Sequence, residues 1–364
     1  MFNLSDAPMT WNHVQGWLNA SGSRLIAYAL FVLSLSLLGC GENGVSNSVS
    51  SVCPQGNGVV SGKLITYPTV SVGDPGNSND ANQFGAVSYK FNMGKFNVTI
   101  AQYAAFLNAV AKADAYDLYH PRMGEDMNVA GIQRAGKPGS YLYTVLNNGG
   151  DSSNRPIAYV TWFDAARFAN WMANGQPEGL QEASTTEDGA YSLRGILSGS
   201  AVGKNVCNPN TGQTIAFWVP TENEWYKAAY YTNNYESTSK PGYYLYATQS
   251  NAAPGNIVGS SPNQMNVIVG VNFSVTQNAT LYATQNYLTD VGAYTGSASY
   301  YGTFDQNGGL YQWNDLDGKP FPYRGVRGSF WFAGAQAAQS INFAAVTPEH
   351  AGNDIGFRLS SISK

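Results

Sequence analysis

Few side chains in this 364-residue sequence can carry acid–base, nucleophilic or metal chemistry, since it contains only 3 His and 3 Cys. Zinc ribbons, iron–sulfur centres and His-rich metal sites need clusters of those ligands, so the count disfavours all three. His120 and His350 stand far apart in the chain and read as ordinary surface or hydrogen-bonded residues. No Gly-x-Ser-x-Gly elbow marks a nucleophilic serine. Glu222, Glu224 and Asp164 each fall in the first turn of an expected helix, where negative charge meets the positive end of the helix dipole, so capping accounts for them. Asp305, Asp315 and Asp317 flank a Gly-rich stretch bearing Trp313 and are better site candidates. Phe330–Val346 (FWFAGAQAAQSINFAAV) offers a different chemistry. Planar rings stack on sugars or side chains, and amides pair with donors and acceptors alike. Phe332, Gln336, Gln339, Asn342 and Phe343, with Trp313 and Asn314, are side chains of the kind that could face a ligand. Trp313 and Trp331 also read as core fillers, and that alternative stays open.

Three helices must position these residues, and each is announced by a Thr followed three residues later by an acid or amide that caps the first turn. The pairs are Thr99 with Gln102, Thr161 with Asp164, and Thr221 with Glu224. In the first helix Ile100, Tyr103, Ala104, Leu107 and Val110 recur at helical spacing as one apolar face. The second is polar only at Asp164, Arg167, Asn170 and Asn174 before Gly175 stops it, which suits the centre of a core. Elsewhere the chain is rich in Gly, Asn, Tyr and Pro and lacks the alternation of a barrel or sandwich. The expected fold is α+β, with a few helices and extensive irregular loop. Charged residues are 12%, yet 43% hydrophobic and 13% aromatic residues suffice for a core, which excludes a disordered chain. A net charge of −4 with scattered basic residues excludes a nucleic-acid partner.

The first 40 residues read differently. Arg24 precedes the apolar run Leu25–Leu38, too short to span a bilayer, and Leu37-Leu38-Gly39-Cys40 resembles the lipobox of bacterial lipoproteins. The expectation is a signal peptide over 1–39, lipidation of Cys40, a flexible tether over 40–69 and one domain over 70–364, exported and anchored to a membrane of the cell envelope. Cys53 and Cys207 then remain, and export permits a disulfide that spacing alone leaves open.

Six segments carry a family resemblance in order: Val72–Val110, Arg155–Met172 (RPIAYVTWFDAARFANWM), Val219–Tyr231 (VPTENEWYKAAYY), Tyr301–Asp315 (YGTFDQNGGLYQWND), Arg324–Trp331 (RGVRGSFW) and Asn353–Ser361 (NDIGFRLSS). Together they resemble the formylglycine-generating enzyme, or sulfatase-modifying factor, family. The resemblance implies a C-type-lectin-like fold with a small twisted sheet. It also implies a two-thiolate copper(I) oxidase site whose cysteines would fall at Ala333 and Ala338, and alanine binds no copper, so no copper is expected. Iron-using relatives draw ligands from a His-rich partner region that this chain lacks. Asn256-Ile257 resembles a structural calcium pair, whereas Gly309 and Gln312 replace donors of a second site. The resemblance also puts Phe330–Val346 in the place of the family's catalytic groove, so the resulting expectation is a lipid-anchored module whose ligand-facing surface, made of the aromatic and amide residues named above, binds a glycan or protein ligand. The competing expectation is an oxygen-dependent enzyme with relocated catalytic groups. Variable proteins of diversity-generating retroelements resemble this fold too and diversify the segment after the Arg-Gly block, where Phe343 replaces a usual Arg.

Overall fold

The computed structural model describes residues 53–54 and 64–363, so Cys40, the expected signal peptide and the centre of the tether lie outside the described residues. All three expected helices form, and each begins at its Thr. Helix α1 (Ile100–Val110), α2 (Trp162–Ala173) and α3 (Glu222–Tyr230) follow Thr99, Thr161 and Thr221, each with a complete reciprocal capping box. In α2 the Thr161 amide donates to Asp164 at 2.8 Å, and Asp164 returns its own amide to the Thr161 hydroxyl at 3.0 Å. Every residue of α2 is buried, as its nearly all-apolar circumference requires. The chain leaves it through Gly175 at φ +90°. Phe106 of α1 packs on Phe168 and Trp171 of α2 at 5.2 Å each, contacts in which every large side chain contributes roughly 1.5–3 kcal/mol by burial.

Short strands run in chain order as β1 (Thr69–Val72), β2 (Phe91–Gly94), β3 (Ile132–Ala135), β4 (Leu142–Val145), β5 (Phe217–Trp218), β6 (Tyr231–Thr232), β7 (Gly242–Tyr243), β8 (Tyr311–Asn314), β9 (Arg324–Arg327), β10 (Ala344–Val346), β11 (Ile355–Gly356) and β12 (Ser360–Ile362). They make two four-stranded sheets, ordered β1-β2-β12-β5 and β10-β9-β8-β11, and two hairpins, β3-β4 and β6-β7. The fold is α+β with small sheets and few helices, as expected. Its largest core joins α1, α2 and the first sheet to Trp313 and Phe357. A second apolar cluster gathers Phe273, Tyr287, Phe330, Trp331 and Ala333.

One boundary needs correcting. The tether was expected to run through residue 69, but Ile65 is buried, and Gln176 bonds its backbone on both sides, accepting from Ile65 N at 2.9 Å and donating to Ile65 O at 3.0 Å. Cys53 is likewise docked, because it forms a disulfide with Cys207 at a Cα separation of 5.7 Å. Its neighbour Pro54 accepts the Thr214 amide at 3.1 Å. Sequence reading missed this because Ser, Gly and Asn around these anchors suggest solvation, while the partners lie over a hundred residues away.

Candidate functional site

The expected ligand surface hangs from one end of β9. Arg327, its last residue, is fully buried, and its guanidinium is held on three sides. Nε and Nη2 reach Glu222 Oε1 at 2.9 and 2.8 Å, and Nη1 donates to the Ser340 and Asn342 carbonyl oxygens at 2.9 and 3.2 Å. The charged plane lies 4.3, 4.9 and 5.2 Å from the ring centroids of Phe84, Tyr226 and Phe343. Phe343 is 56% exposed, so it presents an aromatic face to solvent while its other contacts are fixed from below. Such cation–π contacts are worth roughly 0.5–2 kcal/mol each, enough to bias a surface ring toward one orientation.

Glu222 occupies the first turn of α3, where the capping box and helix dipole set its direction. Gly328 then turns the chain away from β9 at φ +105°, and a Cβ there would stand 2.3 Å from the Gln306 carbonyl oxygen. Ser329 follows at φ +72°, fully buried, with a hydroxyl that finds no partner, a locally strained residue next to the surface segment.

The predicted surface residues separate into two sets. Gln336 and Phe343 are exposed, and Phe332, Gln339 and Asn342 are half-buried. Asn342 donates to the Gln336 carbonyl at 2.6 Å, and Gln339 donates to the Tyr246 hydroxyl at 3.2 Å, so these side chains also brace the loop. Phe332 stacks on Phe273 with centroids 5.3 Å apart and ring planes 6° from parallel. Asn314 is a correction, and Trp313 takes the core reading that the sequence also allowed. Both are fully buried in β8, Trp313 donating its indole N–H to the Val160 carbonyl at 2.9 Å and Asn314 accepting the Leu316 amide at 3.1 Å, so neither faces a ligand. Alternation along β8 does not apply, because the second sheet is covered on both faces here.

Ala333 and Ala338 are buried in different apolar surroundings, Ala333 beside Trp331 and Leu310, Ala338 with Tyr246, Met265 and Val267. Gln312 is saturated: its oxygen accepts from Arg358 Nε at 2.7 Å and Trp225 Nε1 at 2.9 Å, and its amide donates to the Asp305 carbonyl at 2.6 Å. Asn256 is a loop staple, donating to the Val267 and Asn272 carbonyls at 3.1 and 2.9 Å, while the Ile257 amide donates to Gln264 at 2.9 Å. Among the described residues no group of three or more His, Cys, Asp and Glu side chains could hold a metal ion.

The three aspartates have unlike fates. Asp317 is exposed and pairs with Lys319 at 3.0 Å. Asp315 is fully buried against Arg324, the first residue of β9, at 2.7 Å, and accepts the Tyr191 hydroxyl at 3.0 Å. Burial raises its carboxyl, against the opposing pull of Arg324. Asp305 lies at φ +56° between two cavities that it shares with Asn307, each about 10 Å³, room for a single water. Burial pushes its carboxyl up to about 6, although it accepts the Gly292 amide at 2.6 Å. Neither of these two cavities has room for a sugar or a side chain.

A group that the sequence does not gather meets around Tyr159. His120 stacks on Tyr159 at 5.0 Å, and Tyr159, at φ +60°, donates to Asp126 at 2.6 Å. Asn353 also reaches Asp126, at 3.2 Å, and its carbonyl accepts the Trp331 indole at 3.0 Å. Only the unusual backbone of Tyr159 makes this meeting, and no local pattern signals it.

Comparison with known proteins agrees with the sequence resemblance. Residues 65–361 match the model of the sulfatase-modifying factor enzyme 1-like domain. Among solved structures, the crystal structure of CarF is similar at 20% identity over 83% of this chain and 100% of that one, with a TM-score of 0.48. Treponema denticola variable protein 1 is similar at 15% identity over 82% and 96%, with a TM-score of 0.46. PvdO from Pseudomonas aeruginosa is similar at 12% identity over 81% and 92%, with a TM-score of 0.38. No curated protein matches the chain.

Proposed function

The chain belongs to the sulfatase-modifying factor enzyme 1-like family, and from that premise we propose that it is an exported, lipid-anchored member that binds a ligand rather than oxidising a cysteine. One observation carries the reading: the segment after Arg327 presents Phe343 on a braced guanidinium, flanked by Gln336, Gln339 and Asn342. Methyl groups stand at Ala333 and Ala338, inside apolar packing that holds no thiolate, and the single Met265 thioether beside Ala338 does not replace a two-thiolate site. A rigid ring beside amides suits a sugar ring or an extended peptide, since stacking supplies area and amides supply orientation. The free side of β10, which pairs only with β9 among the described residues, adds backbone groups that a peptide strand could join.

Glycan and peptide arrays probed with the full chain test the reading. Binding that Phe343→Ala lowers at least tenfold supports it. Stoichiometric copper or iron in the purified chain, with oxygen consumption on a thiol peptide, overturns it.

A further inference from the structure

The end of β9 opposite Phe343 carries an exposed apolar face with an identifiable occupant. Lys319-Pro320-Phe321-Pro322-Tyr323 are all exposed in sequence, with Phe321 and Tyr323 at 46% and 44% and their rings 6.0 Å apart. Phe321 exchanges backbone bonds with Ala201 at 3.0 and 3.2 Å, and Lys204 donates its amide to the Gly318 carbonyl at 3.0 Å. The loop around Ala201 therefore lies against the aromatic loop. It ends at Val206, 77% exposed, and Cys207, and begins near Leu197, 40% exposed.

Cys207 is the residue to which the N-terminal segment is bonded. Cys53 Sγ also lies 3.3 Å from the Val206 carbonyl oxygen, so the chain enters the domain beside this apolar face. From Cys40 to Cys53 is 13 residues (53 − 40), which can span no more than roughly 45 Å when fully extended. Between Gly195 and Cys207 the only charged residue is Lys204, and between Gly318 and Tyr323 the only one is Lys319. The flanking Asp317 pairs with Lys319 at 3.0 Å, which leaves a face of exposed aromatic, proline and aliphatic groups with little net charge, suited to the headgroup boundary of a bilayer, where amphipathic rings reside.

We propose that this face, built from Phe321, Tyr323, Leu197 and Val206 around the disulfide that receives the tether, rests on the membrane and turns the Phe343 surface outward. The inference relies on lipidation of Cys40. The disulfide is the orienting element, because it brings the point of tether entry next to the aromatic loop rather than leaving it at an arbitrary position.

Hydroxyl-radical footprinting tests it, using the full chain in vesicles of phosphatidylcholine with a minor fraction of phosphatidylglycerol. Phe343 serves as the internal reference, and the same chain in detergent as the control. Lipid on Cys40 is checked by the mass of the N-terminal peptide. With lipid present, oxidation of Phe321 and Tyr323 relative to Phe343 falls at least threefold in vesicles, and a Phe321→Ser, Tyr323→Ser variant remains lipid-bound while Val206 loses protection. A lipidated chain whose Phe321 and Tyr323 react equally in vesicles and detergent overturns the orientation and leaves the anchor standing. An unmodified Cys40 removes the anchor, and this inference with it.

Discussion

Two arginines three residues apart on β9 show how one strand serves two purposes. Arg324 and Arg327 are both fully buried and both face a carboxylate, Asp315 at 2.7 Å and Glu222 at 2.8 Å. Around Arg324 the surroundings are closed: Asp315 is buried too, Tyr191 completes its bonding, and Trp162 lies 4.6 Å beneath the guanidinium. Around Arg327 they are open on one side, where Phe343 reaches solvent. The same residue type thus closes a core at one end and supports a surface at the other, and the exposure of its partners decides which.

Substitutions at the two ends should separate the roles. Arg324→Ala strands a buried carboxylate and is expected to cost about 3–5 kcal/mol in urea unfolding. Arg327→Ala should cost clearly less, because Glu222 can turn toward water, and equal losses would break the comparison. The closed end should also govern pH dependence through Asp164, which caps the helix that begins at Trp162. Burial raises its carboxyl from 3.8 to about 7. Between those values the folded protein holds a proton that the unfolded chain has released. This contribution is full below pH 3.8 and is lost as pH rises through about 7. Thermal midpoints of Asp164→Asn measured across that window should therefore vary less with pH than those of the parent. Ser329→Gly relieves a positive φ and removes an unpartnered hydroxyl, so it should stabilise by about 1 kcal/mol, read as a raised midpoint. Phe343→Ala should change stability by only about 0.5 kcal/mol while removing array binding. A larger loss of stability would reassign the ring to the core.

Legibility in the sequence follows the range of the interactions. The capped helices were readable because Thr161 and Asp164 lie three residues apart and satisfy one another within a single turn. The tether boundary was not, because Ile65 is held by Gln176 and Cys53 by Cys207. At the candidate site Phe343, Gln336 and Gln339 are singled out by residue chemistry together with the family resemblance that puts their segment at a groove, but what fixes Phe343 is not legible, since Phe84, Tyr226 and Glu222 arrive from distant segments. The surface reading of Asn314, and the choice left open for Trp313, have a related reason. A short strand covered on both faces carries no alternation to distinguish a surface residue from a core one.

The order of strands in the first sheet bears on when the protein can become itself. β2 pairs with β1, its near neighbour in sequence, and with β12, which begins 266 residues after β2 ends (360 − 94). During synthesis β1 and β2 emerge early, yet β12 must arrive before β5 can be joined to them. The helices can form as they appear, whereas this sheet stays incomplete until nearly the whole described chain is present. Acquisition of the native state is therefore a late event, and truncations near the C-terminal side should be felt in the very first strands.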